Sequence, residues 1–205
     1  METLKEHWNS IFSKTNDTDL GWYEEDISQT LKFLREIPHS ESKTVFLPGS
    51  GTSTLVDALL NQGHQLILND ISNEALNKLK NRLRNDENTT YLHHDISKPL
   101  PLKSPKVDLW IDRAVLHFLL NELDIETYFN NLCSSVKPGG FVLLAEFSTI
   151  GALKCAGLDV HRYSVSEIND RIGNEFKLIK DEEYKYINPS GNERPYIYAL
   201  YKREG

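Results

Sequence analysis

The order of apolar strands and helical segments is the feature that most constrains what this chain can fold into. Five short apolar runs follow one another along the sequence, at residues 44–47, 65–69, 90–94, 107–111 and 141–147. Helical patterns fall between them, at residues 55–60, 72–83 and 125–136. Strands that alternate with helices pair in parallel through right-handed crossovers and build an open sheet.

The last part of the chain breaks this rhythm. Residues 177–187 and 196–202 are typical of two strands around the turn Asn188-Pro189-Ser190-Gly191. Strands joined by only a turn must pair antiparallel. We therefore predict an α/β fold with a Rossmann-like, seven-stranded, mostly parallel sheet, a C-terminal antiparallel hairpin and helices on both faces.

Charge and cysteine content limit the partners and the compartment. The formal net charge is −7 and no basic block occurs, so we expect no nucleic-acid partner and no membrane surface. Cys133 and Cys155 are too few for a disulfide scaffold or a cysteine-rich zinc site, and we expect no metal. His93 and His94 are neighbours on a strand and point to opposite faces, so they cannot chelate together. The start of the chain does not resemble a signal peptide, and we expect a cytoplasmic protein.

Glycines follow the first strand, where a ligand would approach the backbone. The run Gly49-Ser50-Gly51 allows a sharp turn that a Cβ atom would obstruct. The N-terminus of the helix beyond it favours a carboxylate or phosphate group. An ordinary strand-to-helix turn that needs glycine would look the same, so this loop requires support from its context.

Aspartates at the next two strand ends supply that support. Asp70 ends the second strand, about twenty residues after the loop, where an acid accepts hydrogen bonds from ribose hydroxyls. Asp95 ends the third strand and is placed to receive an adenine amino group, with Ile96 packed against the ring. Each aspartate alone also fits a capping or turn role. The three strand ends together favour a nucleoside site.

Four segments resemble those of one enzyme family over nearly the whole chain. They are the loop at residues 45–51 with its proline, the Asp-Arg motif at residues 109–114, the turn at residues 136–140, and the N-terminal aromatics Trp8 and Gly21-Trp22-Tyr23. Together they resemble class I S-adenosylmethionine-dependent methyltransferases, and especially the thiopurine-methyltransferase-like branch. Two positions depart from the wider class: Leu47 replaces an acidic residue that the branch also lacks, and Ser53 replaces a third glycine.

The resemblance implies S-adenosyl-L-methionine as the cofactor and one domain over residues 1–205. Residues 1–40 are expected to form a helical lid, and residues 41–205 the cofactor-binding sheet and the acceptor loops. The expected cofactor-binding residues are Trp8, Gly49, Ser50, Gly51, Asp70, Ile71, Asp95, Ile96 and Asp112. The expected acceptor-site residues are Phe12, Trp22, Tyr23, Cys155 and His161.

Two further residues are candidates for catalysis. By resemblance Arg113 follows the fourth strand at the edge of the cofactor and would orient an acceptor or the methionine carboxylate, although a surface ion pair fits it too. His117 lies one helical turn further on and is the type of side chain that titrates near neutrality, so it is a candidate base. A packed or solvated histidine is the alternative. For Trp8 and Phe12, packing of an amphipathic helix is the alternative to a wall around the sulfonium.

The sequence alone is compatible with several functions. The favoured one is methyl transfer to a small-molecule nucleophile, a thiol or another soft heteroatom. A protein lysine or amine is the alternative acceptor, which would make a protein the substrate. A nicotinamide-dependent oxidoreductase shares the glycine loop and the acid after the second strand, and a non-catalytic cofactor-binding module shares both as well.

Overall fold

The computed structural model describes residues 3–38, 43–84, 86–101 and 106–205. Nine strands lie in this part of the chain: β1 Thr44–Leu47, β2 Gln65–Asp70, β3 Thr89–His93, β4 Val107–Arg113, β5 Val136–Phe147, β6 Lys154–Cys155, β7 Leu158–Asp159, β8 Phe176–Ile187 and β9 Glu193–Arg203. Six α-helices accompany them: α1 Leu4–Lys14, α2 Ser28–Leu34, α3 Leu55–Asn61, α4 Asn73–Leu83, α5 Glu122–Ser135 and α6 Val165–Ile172.

Seven of the strands form one sheet, in the order β3-β2-β1-β4-β5-β9-β8. The pairs from β3 to β5 are parallel, whereas β9 runs antiparallel to both β5 and β8. The predicted seven-stranded sheet with its terminal hairpin is therefore confirmed. The chain order reverses between β1 and β4, and ligands of open α/β sheets bind at such a switch point, beyond the carboxyl ends of the strands.

Successive residues of the central strands fill two separate cores. Leu109 and Ile111 of β4 pack with Val45 on one face of the sheet. Trp110 points to the other face and stacks on Phe46, with ring centroids 4.4 Å apart. This alternation follows from the period of two in a β-strand, and it explains why the middle of each central strand is apolar on both faces.

Two predicted local features differ from the structure. The segment at residues 137–140 is not a free turn, because β5 already begins at Val136 and pairs with Val107. The ladder shifts register beside it, and a Cβ at Gly140 would lie 3.0 Å from the Asp108 carbonyl oxygen, so only glycine permits this approach. The predicted loop at residues 149–163 contains the small β6–β7 hairpin.

The N-terminal segment packs over the sheet through α1. Asn9 Oδ1 accepts a hydrogen bond of 2.8 Å from the Ser72 hydroxyl, at the N-cap of α4. Lys78 of α4 pairs with Asp17 at 2.7 Å. Helices α1 and α2 lie within residues 1–40, where a lid is predicted, and residues 1–2 and 39–40 lie outside the described residues. Within the described ranges, no helix has both the length and the apolar character needed to cross a membrane.

Candidate active site

A pocket opens at the carboxyl ends of β1, β2 and β4, beneath α1. Twelve of the residues predicted from the sequence line it: Trp8, Phe12, Trp22, Tyr23, Gly49, Ser50, Gly51, Asp70, Ile71, Asp95, Ile96 and Arg113. Four predicted site residues do not line it: Asp112, His117, Cys155 and His161.

The glycine loop forms the floor of the pocket. Gly49 has φ +49°, and a Cβ there would lie 2.3 Å from Val115 Cγ2, so no other residue fits without displacement. Gly51 has φ +52° and approaches the Phe12 ring, 3.3 Å from where its Cβ would be. The hydroxyl of Ser50 is buried and has no hydrogen-bond partner in the described part of the chain. A buried, unpaired hydroxyl in a pocket wall is a group that a ligand would satisfy.

Asp70 connects this loop to the next strand and helix. One carboxylate oxygen accepts the backbone N–H of Gly51 at 2.9 Å, and the other accepts that of Ser72 at 2.7 Å. Burial raises the pKa of Asp70 to about 6, and the backbone hydrogen bonds oppose this rise. The carboxylate has more lone pairs than its backbone donors use, which leaves an acceptor for ligand hydroxyls.

Asp95 and Ile96 lie at the other end of the pocket, after β3. The Asp95 carboxylate accepts the backbone N–H of Ser97 at 2.9 Å, which holds the turn after the strand. Ile96 is buried and presents an apolar surface beside it. Ile71, half-buried next to Asp70, completes this part of the wall.

Aromatic rings of the N-terminal segment close the pocket from above. Trp8 is 9% exposed and meets Trp22 and Phe118 edge-on, at centroid distances of 5.5 and 4.9 Å. Phe12 meets Trp22 at 6.1 Å. Phe118 was not among the predicted residues. The sequence does show an aromatic residue shortly after the Asp-Arg motif. Helical or strand periodicity, however, does not predict that a residue at such a position lines a pocket.

Arg113 lies at the end of β4 and contacts the N-terminal segment. Its Nη1 donates to the Trp22 carbonyl oxygen at 2.8 Å, and its Nη2 lies 2.9 Å from Glu24 Oε1. The two charged side chains are only 11% and 10% exposed. The rings of Tyr186 and Tyr196 lie 4.7 and 5.0 Å from the guanidinium carbon. Arg113 therefore does form an ion pair, but the pair is buried in the pocket wall and is not the surface ion pair that was the alternative.

Asp112 has its partners inside the protein. The amides of Val115 and Leu116 donate to its carboxylate at 3.0 and 3.1 Å, and the Tyr128 hydroxyl donates at 2.5 Å. It is fully buried outside the pocket. Its position does not support the predicted cofactor contact: the carboxylate shapes the turn after β4 instead.

His117 is also fully buried, and its Nδ1 lies 2.7 Å from Glu146 Oε2. Burial lowers the pKa of His117 to about 3 and raises that of Glu146 to about 8. Both shifts favour the uncharged form of the group. An imidazole that lies outside the pocket and resists protonation does not support the predicted role of a base.

Cys155 and His161 lie beyond the pocket wall. Burial raises the pKa of the Cys155 thiol, which lowers its reactivity. The Nε2 of His161 lies 2.8 Å from Glu167 Oε1. The hairpin that carries Cys155 still meets the lid, because His7 Nε2 lies 3.0 Å from the Ala156 carbonyl oxygen. Neither predicted acceptor contact is supported by these positions.

The residues of the pocket fit a nucleoside cofactor with an amino-acid tail. Asp70 offers free acceptor positions where ribose hydroxyls would bind, and Ile96 offers an apolar face for a base. The cradle at Gly49 and the unpaired Ser50 hydroxyl lie where the tail would cross the loop. The donors, acceptors and apolar surfaces therefore agree with what S-adenosylmethionine requires.

Comparison with known proteins gives matches to methyltransferases. The model of a family described as a methyltransferase domain matches residues 47–144, which include the glycine loop, Asp70 and Asp95. Malonyl-[acyl-carrier protein] O-methyltransferase 2 of Ilyobacter polytropus is 29% identical over 68% of this chain and 53% of its own length. The chain therefore spans about half the length of this curated relative.

Solved methyltransferase structures share the fold. The N-methyltransferase NodS from Bradyrhizobium japonicum, in complex with S-adenosyl-L-homocysteine, has a TM-score of 0.73 at 12% identity, over 97% of this chain and 100% of NodS. The 1,6-didemethyltoxoflavin-N1-methyltransferase from Burkholderia thailandensis, with 1,6-didemethyltoxoflavin and S-adenosylhomocysteine bound, has a TM-score of 0.64 at 16% identity. That match covers 80% of this chain and 72% of the toxoflavin enzyme.

The sheet order and the pocket agree with the match of residues 47–144 to a methyltransferase domain and with the fold of the solved methyltransferases. The family match over residues 47–144 and the residues of the pocket support S-adenosylmethionine as the cofactor.

Proposed function

We propose that this protein transfers the methyl group of S-adenosylmethionine to a small, uncharged molecule through a soft nucleophile, with a thiol as the favoured acceptor. The observation that carries the proposal is the apolar, aromatic wall formed by Trp8, Trp22 and Phe118 beside the glycine loop. Such a wall favours an apolar acceptor and excludes water from the reacting groups.

The charges in the pocket support an uncharged acceptor. Among the described lining residues, Arg113 is the one lysine or arginine side chain, and Glu24 already neutralises it. A carboxylate acceptor would enter without a free cation to hold it, at a high desolvation cost. This argues against a malonyl-[acyl-carrier protein] acceptor, which the name of the Ilyobacter polytropus relative gives for that protein.

The reaction asks the chain to bind and orient more than to move protons. When bound, the cofactor supplies a methyl group that its sulfonium already activates. Asp70 would hold the ribose, Asp95 and Ile96 the adenine, and the loop at residues 49–51 the amino-acid tail. Trp8 and Trp22 would hold the acceptor in line, which can supply most of the acceleration. The predicted base, His117, lies outside the wall, and the histidine that does line the pocket, His94, follows β3 next to Asp95 at the nucleoside end. A soft nucleophile, which needs little help from a base, suits this arrangement.

The thiopurine-methyltransferase-like branch is part of this proposal. Pro48 in the glycine loop and the sequence Asp112-Arg113 after β4 support it, together with the aromatic lid. A protein lysine or amine remains the second acceptor class. That class would require a pocket that is open to a peptide.

Two measurements test the proposed function. Calorimetry should give saturable binding of S-adenosylhomocysteine and none of NAD. Incubation with methyl-labelled S-adenosylmethionine should then label thiophenol in preference to benzylamine, a lysine peptide and a malonyl thioester. Lys185→Ala changes an exposed ion pair with Glu193, and it is the control that should behave like the wild type. If the lysine peptide is labelled in preference to thiophenol, the acceptor is a protein and not a small molecule.

A further inference from the structure

Three successive backbone carbonyls of the N-terminal segment are held by side chains from three different elements. We call residues 22–24 the strap. The Trp22 carbonyl accepts from Arg113 at the end of β4, and the Glu24 carbonyl accepts from the Thr54 hydroxyl at 2.7 Å, just before α3. The Tyr23 carbonyl accepts from the Tyr186 hydroxyl of β8. An irregular segment whose consecutive carbonyls are all bound by side chains has little freedom to move.

A buried ion pair reinforces these hydrogen bonds. Glu24 and Arg113 meet at 2.9 Å, and burial raises the pKa of Glu24 while the positive charge of Arg113 opposes the rise. Separating the two would leave an uncompensated charge in a poorly solvated place. The rings of Tyr186 and Tyr196 flank the guanidinium and keep water from it.

The strap lies at the end of the pocket away from the nucleoside residues. Asp95 comes after β3 and Asp70 ends β2, whereas Arg113 ends β4, on the far side of β1 in the strand order. All three strap residues line the pocket. Trp22 in turn meets Trp8 at 5.5 Å, so the strap also determines where that ring lies.

We propose that Arg113 and Tyr186 are positioning residues that clamp the strap as a fixed wall of the acceptor site, so that acceptor selection depends on the clamp. This inference rests on the proposed methyl transfer. It makes the backbone of the strap the partner of Arg113. The sequence instead predicted that Arg113 contacts the acceptor or the methionine carboxylate. Its guanidinium fork matters here because a single ammonium cannot bind a carbonyl and a carboxylate in the same fixed geometry.

The test uses two conservative variants and one matched control in the full-length protein. Arg113→Lys keeps the charge and loses the fork, and Tyr186→Phe loses only the hydroxyl that binds the Tyr23 carbonyl. Tyr184→Phe removes a hydroxyl from the same strand that binds none of the strap carbonyls. Hydrogen exchange of the strap amides, S-adenosylhomocysteine binding and thiophenol binding to the protein–S-adenosylhomocysteine complex are measured for each.

In both clamp variants we expect strap exchange to rise about tenfold or more, because the local opening becomes easier. Thiophenol binding should weaken about tenfold, while S-adenosylhomocysteine affinity stays within about threefold of the wild type. The control should match the wild type in all three measurements. Unchanged strap exchange in the variants would refute the clamp, and so would losses of the two affinities by equal factors.

The two proposals fail separately. If the wild type binds no S-adenosylhomocysteine, the proposed function is wrong, and strap exchange still decides whether Arg113 and Tyr186 hold the segment. If the wild type binds S-adenosylhomocysteine but not thiophenol, the acceptor class is wrong. The same exchange measurement then decides the clamp.

Discussion

His117 Nδ1 and Glu146 Oε2 lie 2.7 Å apart in a site where both side chains are fully shielded from solvent. His117 follows β4 and Glu146 belongs to β5, so the contact ties the turn after one strand to its neighbour. The Glu146 carboxylate also accepts the backbone N–H of His117 at 3.2 Å. The pKa values of both groups are shifted, so this buried pair contributes to the pH dependence that we expect of the fold.

Glu146→Gln should change how stability depends on pH. The folded protein holds the Glu146 proton up to a pKa of about 8, against an ordinary value of 4.5, so its contribution is complete below 4.5 and is lost as pH rises to about 8. His117 has the opposite sign: its pKa is lowered from 6.5 to about 3, and its contribution is lost as pH falls through that window. Thermal unfolding should therefore show a smaller loss from about pH 5 to about pH 8 in Glu146→Gln than in the wild type.

Glu183→Gln, at an exposed position of β8, is the control for this comparison. It should reproduce the slope of the wild type. An identical slope in Glu146→Gln would mean that Glu146 is ionised in the folded protein.

Asp70→Ala should weaken cofactor binding without unfolding the protein. The substitution removes the acceptors for ligand hydroxyls, and unpaired buried polar partners cost about 1–3 kcal/mol. Calorimetry with S-adenosylhomocysteine measures the loss, with Lys185→Ala as the control. Wild-type affinity in Asp70→Ala would remove Asp70 from the cofactor site.

Trp8→Leu should separate the charge of the cofactor from its shape. An aromatic face stabilises a cation by about 0.5–1 kcal/mol at partly exposed sites, and leucine offers no such face. S-adenosylmethionine carries the sulfonium charge and S-adenosylhomocysteine does not, so the affinity for the former should fall by a further factor of about two to five. Equal losses for both ligands would assign Trp8 to packing alone.

Gly49→Ala should destabilise the fold for two reasons, a φ of +49° and a Cβ that would lie 2.3 Å from Val115 Cγ2. Gly191→Ala isolates the effect of the positive φ, because Gly191 has φ +78° and nothing lies within 4 Å of the added Cβ. The positive φ alone should cost about 1–2 kcal/mol in urea unfolding, and Gly49→Ala should cost more. Adding Val115→Ala to Gly49→Ala should recover part of the difference. Equal costs at the two glycines would show that Val115 moves aside freely.

Features that depend on neighbouring residues along the chain were predictable. The strand and helix order, the positive-φ glycines of the loop and the acid closing β2 are local patterns, and the structure brings Gly49, Gly51 and Asp70 together in the pocket as expected. The hairpin of β8 and β9 was equally local, since a short turn leaves antiparallel pairing as the only arrangement.

Features that depend on contacts between distant segments of the chain were not predictable from the sequence. The resemblance of residues 109–114 predicted that Arg113 faces a ligand, yet Arg113 binds Trp22 and Glu24. The titration range of histidine made His117 a candidate base, yet its side chain contacts Glu146. Local sequence determined the sheet and its glycine cradle, because backbone conformation and side-chain alternation are set within a few residues. Only the tertiary structure decided what each polar group contacts, because partners 29 to 91 residues apart meet only after the sheet is assembled.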